Sequence, residues 1–204
     1  MNKKYLEKVY RAHSTDETRV LYDEWAETYD DEVLENGYIT PARVARALGA
    51  QITDFNRPIL DFGCGTGLSG AALIQAGFTA IDGADLSADM LAQAREKQAY
   101  RDLWQVHPGS DLPFDPGKYH AITASGVIGS GAAPGETLDL LLNALNPRGL
   151  LAFSFNDHTL DDPDYEGRLH AAIEQGRAHV LFQEYGDHLP RIGMGATVYV
   201  LEKA

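Results

Sequence analysis

The chain has 204 residues, 44% of them apolar, and a formal charge of −13. That length and apolar content suit one domain with a substantial core, and the acidic balance argues against a broad phosphate-binding face, so no nucleic-acid partner is expected. No apolar run approaches the roughly 18 residues of a membrane span, the first residues lack a signal peptide's apolar stretch, and the single cysteine, Cys64, forms no internal disulfide. The expectation is a cytoplasmic protein with no membrane partner, a monomer or homodimer.

Residues 1–12 predict a short helix with Tyr5, Leu6, Val9 and Tyr10 apolar. Ser14 stands three residues before Glu17, a capping-box spacing that starts a second helix. Along it Leu21, Tyr22, Trp25 and Tyr29 recur at helical spacing and share one face. Between Thr15 and Asn36 stand nine acids and one base, Arg19. Such a run is a solvated helix face or, on a sharper reading, an acidic lid that attracts a cationic substrate. Thr40-Pro41 starts a third helix, a capping hydroxyl followed by proline, and Gly49 ends it.

The stretch Ile59 to Gly70 reads as a strand, a turn with glycine at 63, 65 and 67, and a helix from Leu68. Glycine there permits positive φ and lets a ligand approach the main chain, and the helix start offers unpaired N–H groups. Phe78–Ala84 predicts the second strand, with Asp85 at its end, where an α/β nucleotide site places a carboxylate for a ribose diol. Ser87 caps the next helix, in which Met90, Leu91 and Ala94 face inward. Leu103–His107 and Tyr119–Ala124 predict strands three and four, and a glycine-rich loop from Ser125 to Gly131 follows the fourth. A helix begins near Pro134. Leu150–Phe155 is the fifth strand, with Asn156, Asp157 and His158 at its end, and a helix runs through Leu169 and Ile173. Ala178–Tyr185 and Ala196–Glu202 read as a closing hairpin joined by Gly186–Gly195.

Asp61-Phe62-Gly63-Cys64-Gly65-Thr66-Gly67 resembles motif I of the class I S-adenosylmethionine-dependent methyltransferases, and Gly83-Ala84-Asp85-Leu86-Ser87 with Met90-Leu91 resembles their acidic motif II. Tyr22 to Asp30 is similar to the leading helix of small members, those of the Williams–Beuren region and those associated with TPR repeats. The resemblance implies an α/β, Rossmann-like seven-stranded, mostly parallel sheet with an antiparallel C-terminal hairpin, helices on both faces and an N-terminal helical cap. The cap would span residues 1–50 and the S-adenosylmethionine-binding domain 51–204. It implies S-adenosyl-L-methionine as cofactor, contacted by Tyr22, Trp25, Tyr29, Asp61, Gly63, Cys64, Gly65, Thr66, Gly67, Asp85, Leu86, Met90, Ser110, Asp111 and Ser125.

Methyl transfer from a sulfonium is an in-line displacement with a good leaving group, so positioning supplies much of the rate, and a base is needed only for an acceptor that arrives protonated. His158 is the base candidate by its strand-end place; His179, Glu184 and His188 are weaker ones. No metal-binding spacing is present. The expected reaction is methylation of a small-molecule acceptor. The alternatives are a cofactor-binding regulatory protein without transfer activity, and an NAD-dependent oxidoreductase, since Gly65 to Gly70 formally matches G-x-G-x-x-G.

Overall fold

The computed structural model describes residues 5–9, 15–107, 109–110 and 112–204. Ser14, Tyr10 and Asp111, named above, lie outside the described residues. Seven strands make one sheet: β1 (Ile59–Phe62), β2 (Ile81–Asp85), β3 (Leu103–Gln105), β4 (Ala121–Ala124), β5 (Leu150–Asn156), β6 (Ala178–Leu189) and β7 (Met194–Lys203). Their order is β3-β2-β1-β4-β5-β7-β6. The first five are parallel, while β7 runs antiparallel to both β5 and β6. This is the expected mostly parallel sheet with an antiparallel hairpin at its end.

Alternation along the central strands explains the two covered faces, because successive side chains of a strand point to opposite sides. Ile59, Leu150, Ala152, Val198 and Val200 pack with Val44 and Leu48 of α4 (Thr40–Gly49) and Leu73 of α5 (Leu68–Gln75). Their neighbours Leu60, Leu151, Phe153, Tyr199 and Leu201 pack with Leu138 and Leu141 of α7 (Glu136–Ala144) and Leu169 of α9 (Pro163–Glu174). The strands are therefore apolar on both sides.

Remaining helices are α1 (Leu6–Val9), α2 (Thr15–Trp25), α3 (Tyr29–Glu35), α6 (Ala88–Glu96) and α8 (Asp157–Leu160). Of the N-terminal helices, α4 packs through Val44 and Leu48 against the sheet. The aromatic stripe expected on one helix is divided: α2 ends at Trp25, Thr28 N–H bonds to the Trp25 carbonyl, and Tyr29 opens α3. The rings still meet, Trp25 and Tyr22 stacked at 5.9 Å and Trp25 and Tyr29 edge to face at 4.7 Å.

Thr40 does not act as the cap of α4. Ile39 holds that position, and the buried Thr40 hydroxyl meets His188 Nδ1 at 2.7 Å. The closing hairpin is longer than its local pattern suggests. Arg43, only 7% exposed, donates to the carbonyls of Glu184, Asp187 and Ala196 and so holds together the segment expected to be a loop. Among the described residues no helix is long and apolar enough to cross a membrane.

Candidate active site

The turn after β1 is shaped by two glycines in different ways. Gly63 has φ +69°, and a Cβ there would stand 2.3 Å from Val127 Cγ2. Gly65 has φ +53° and faces open space, with no heavy atom within 4 Å of where its Cβ would be. Gly65 N–H donates to Asp85 Oδ2 at 2.8 Å, and Ser87 N–H donates to Asp85 Oδ1 at 2.9 Å. These bonds lock the β1 and β2 loops together while leaving lone pairs on each carboxylate oxygen. Burial raises the Asp85 pKa, opposed by the backbone N–H groups of Ser87 and Gly65.

Beneath this turn lies Asp61, fully buried. Its carboxylate accepts from Ser69 Oγ, from Tyr100 OH at 2.8 Å and from Thr123 Oγ1 at 2.9 Å. Burial pushes its pKa up to about 6 against those three donors. Asp61 thus ties β1 to α5, β4 and the segment before β3.

Over the carboxyl ends of β1, β2 and β4 opens a cavity of about 500 Å3, within the range of small-ligand sites. Tyr22, Tyr29, Gly63, Gly65, Asp85, Leu86, Met90, Ser110 and Ser125 line it, all expected from the sequence. Ser125 Oγ is buried there without a hydrogen-bond partner among the described residues, an unusual state for a buried hydroxyl. Met90, 1% exposed, is held by Ser87, whose hydroxyl accepts Met90 N–H at 3.1 Å.

Five expected contacts are off this wall. Asp61 is underneath it, as described. Cys64 is turned inward, 3% exposed, and burial raises its thiol pKa well above the ordinary range. Thr66, 2% exposed, gives its hydroxyl to Asp30 Oδ1, and Gly67 serves the backbone turn with φ +94°. Trp25 lines a different space. Asp111 lies outside the described residues.

That second space is a side chamber of about 40 Å3 lined by Trp25, Tyr38, Ser130, Ser154, Asn156 and His188, among others. Tyr22, Tyr29, Gly126 and Ala132 line both volumes, so they share a wall. His188 is 5% exposed, and burial lowers its pKa to about 4, leaving it neutral at pH 7. His158, the base candidate, is on neither wall. Asn156 turns back to cap α8 through Thr159 N–H, which leaves His158 on the exposed side of that helix. The chamber side of His188 had no local signal: Thr40 is 148 positions away in sequence.

Two acids of the N-terminal run are also placed by the site. Asp23 Oδ1 accepts from Ser87 Oγ, and Asp30 accepts from Thr66 Oγ1 and pairs with Lys97 Nζ at 2.7 Å. They hold α2 and α3 over both loops.

A seven-stranded α/β sheet with a glycine turn and a strand-end carboxylate at a strand-order switch defines a nucleotide-type ligand site. Residues 59–149 match the family described as Methyltransferase domain. The chain is 29% identical over 158 residues to methyltransferase-like protein 27 of Homo sapiens, covering 76% of this chain and 64% of that protein. It is 33% identical over 162 residues to the trans-aconitate 2-methyltransferase of Rhodopseudomonas palustris (strain BisB18), covering 74% of this chain and 59% of that enzyme. It thus spans less than two thirds of either relative's length. The fold is shared with the methyltransferase-activator complex structure from Haloferax volcanii, at a TM-score of 0.68 and 20% identity, over 91% of this chain and 97% of that one. Over residues 59–149 the chain is thus similar to the methyltransferase-domain family, and both of the relatives named above are methyltransferases by name.

Proposed function

We propose that the chain transfers a methyl group from S-adenosylmethionine to a small-molecule acceptor. The observation that carries this reading is the pairing of Asp85 and Gly65 on the wall of the 500 Å3 cavity. Asp85 holds the ribose hydroxyls with its remaining lone pairs, and the open face at Gly65 lets the ligand reach the backbone. Ser125 Oγ takes a polar group of the methionine half, Leu86, Met90 and Ser110 flank the adenine, and Tyr22 and Tyr29 cover the ligand. S-adenosylmethionine supplies an electrophilic methyl when bound; the chain's part is to orient both reactants and exclude water. A small acceptor is favoured by the formal charge of −13, and one relative is named for such an acceptor, trans-aconitate.

Calorimetric titration of the wild type and Asp85→Ala with S-adenosylmethionine, S-adenosylhomocysteine and NAD tests this reading. Binding of the two adenosyl ligands alone, weakened at least about tenfold by the substitution, is expected. Preferential binding of NAD would overturn it.

A further inference from the structure

Among the described residues the side chamber carries two buried donors and no charged side chain. Trp25 is 1% exposed, lines the chamber, and its Nε1–H has no hydrogen-bond partner among the described residues. Buried donors are normally paired, and an indole N–H can only donate. On the same wall Ser154 Oγ accepts Gly126 N–H at 2.9 Å, which leaves its hydroxyl proton as a second donor. Among the described residues the lining contains no Asp, Glu, Lys or Arg. The nearby acids of the N-terminal run are committed elsewhere, Asp23 to Ser87 and Arg19, Asp30 to Thr66 and Lys97. At about 40 Å3 the chamber takes roughly three water-sized groups at 10–15 Å3 each, a three-atom head rather than a whole molecule.

We propose that this chamber receives the oxygen head group of the methyl acceptor, a carboxylate or carbonyl, hydrogen-bonded to Trp25 Nε1–H, and that it rejects an ammonium. The proposal rests on the methyltransferase reading above and deepens it by naming the acceptor's chemistry. An ammonium brings three donors and no lone pair, so it would leave the Trp25 N–H unpaired and meet no counter-charge. An oxygen head accepts from Trp25 and Ser154 together, and its three heavy atoms suit the volume. The aromatic wall of Tyr22, Tyr29 and Tyr38 does favour cations in general, which makes the ammonium the competing occupant.

The chain has two tryptophans, so protein labelled with 15N at the indole nitrogens gives two indole signals. Trp104, on β3, lines neither space and serves as the internal reference, and Trp104→Phe assigns the pair. Wild type is first saturated with S-adenosylhomocysteine, followed by calorimetry, and then titrated with acetate, acetamide and methylammonium. Acetate or acetamide is expected to move the Trp25 signal downfield and leave Trp104 in place, while methylammonium moves neither; the relative size of the first two shifts separates a carboxylate from a neutral carbonyl. In Trp25→Phe the acetate response of the remaining signal is expected to be nil. A Trp25 shift with methylammonium as large as that with acetate, or no shift with any probe, overturns the proposal. Failure to take up S-adenosylhomocysteine is a separate result, which counts against the methyltransferase reading itself.

Discussion

Asp30 Oδ2 stands 2.7 Å from Lys97 Nζ, and the same ammonium donates to the Thr66 carbonyl at 2.7 Å. One ion pair therefore joins α3, the glycine turn and the end of α6, three segments far apart in the chain. It also assigns a task to part of the acidic run. Among those acids, Asp23 and Asp30 are fastened to the ligand loops, while Glu24, Glu27, Asp31 and Glu35 remain exposed.

Asp30→Ala is expected to loosen α3 from the glycine turn while leaving the sheet intact. Both partners are partly exposed, at 33% and 26%, so the loss in stability should be about 1 kcal/mol, or about 2–4 °C in Tm for a chain this long. S-adenosylhomocysteine should bind several-fold more weakly, and the difference from wild type should shrink with added salt. Scanning calorimetry and titration at low and high salt check both effects.

Gly63 and Gly65 should separate folding from binding. Gly63→Ala forces a methyl into Val127 at a positive φ and should cost about 3 kcal/mol or more. Gly65→Ala has the room and should cost only about 1–2 kcal/mol for the backbone conformation. Its methyl then occupies ligand space. The folded Gly65→Ala protein should therefore lose most of its affinity for S-adenosylhomocysteine, as denaturation and calorimetry on one preparation would reveal.

Two buried groups push the pH dependence of stability in opposite directions. Asp61 titrates at about 6 in the fold against 3.8 ordinarily, so between those values the native state holds the extra proton and stability falls as pH rises. His188 titrates at about 4 against 6.5, so there the unfolded state holds the proton and stability rises with pH. Each contribution is about 3 kcal/mol across its window. Relative to wild type, Asp61→Asn should gain stability as pH is raised from 4 to 6, and His188→Gln should lose it as pH is raised from 4 to 6.5. Urea denaturation at stepped pH gives the two differences; a flat difference for either variant would rule out that group's shift.

His158→Ala should leave turnover within about twofold of wild type once an acceptor is in hand, because this exposed side chain lines neither the cavity nor the side chamber. Steady-state kinetics with saturating S-adenosylmethionine would show a drop of tenfold or more if His158 were the base.

The local parts of this protein are legible in its sequence for a physical reason: they depend on neighbours only a few residues apart. The near-continuous apolar runs of β5 and β7, the Ser87 cap, the positive-φ glycines and the acid that ends β2 are all of this kind. They suffice to predict individual strands and the glycine turn, while the order of the strands in the sheet is implied by the family resemblance. What tertiary structure alone decided is which polar groups face the cavity. Asp61 sits in the same motif as Gly63 yet is sealed below it by Ser69, Tyr100 and Thr123, and Trp25 shares a stripe with Tyr22 yet lines the side chamber and not the main cavity. His158 and His188 look equivalent as isolated letters. Asn156 turns one to solvent, whereas Thr40, brought 148 positions to meet it, buries the other in the side chamber. Burial and hydrogen-bond partners are set by segments distant in the chain, and side-chain periodicity carries no record of them.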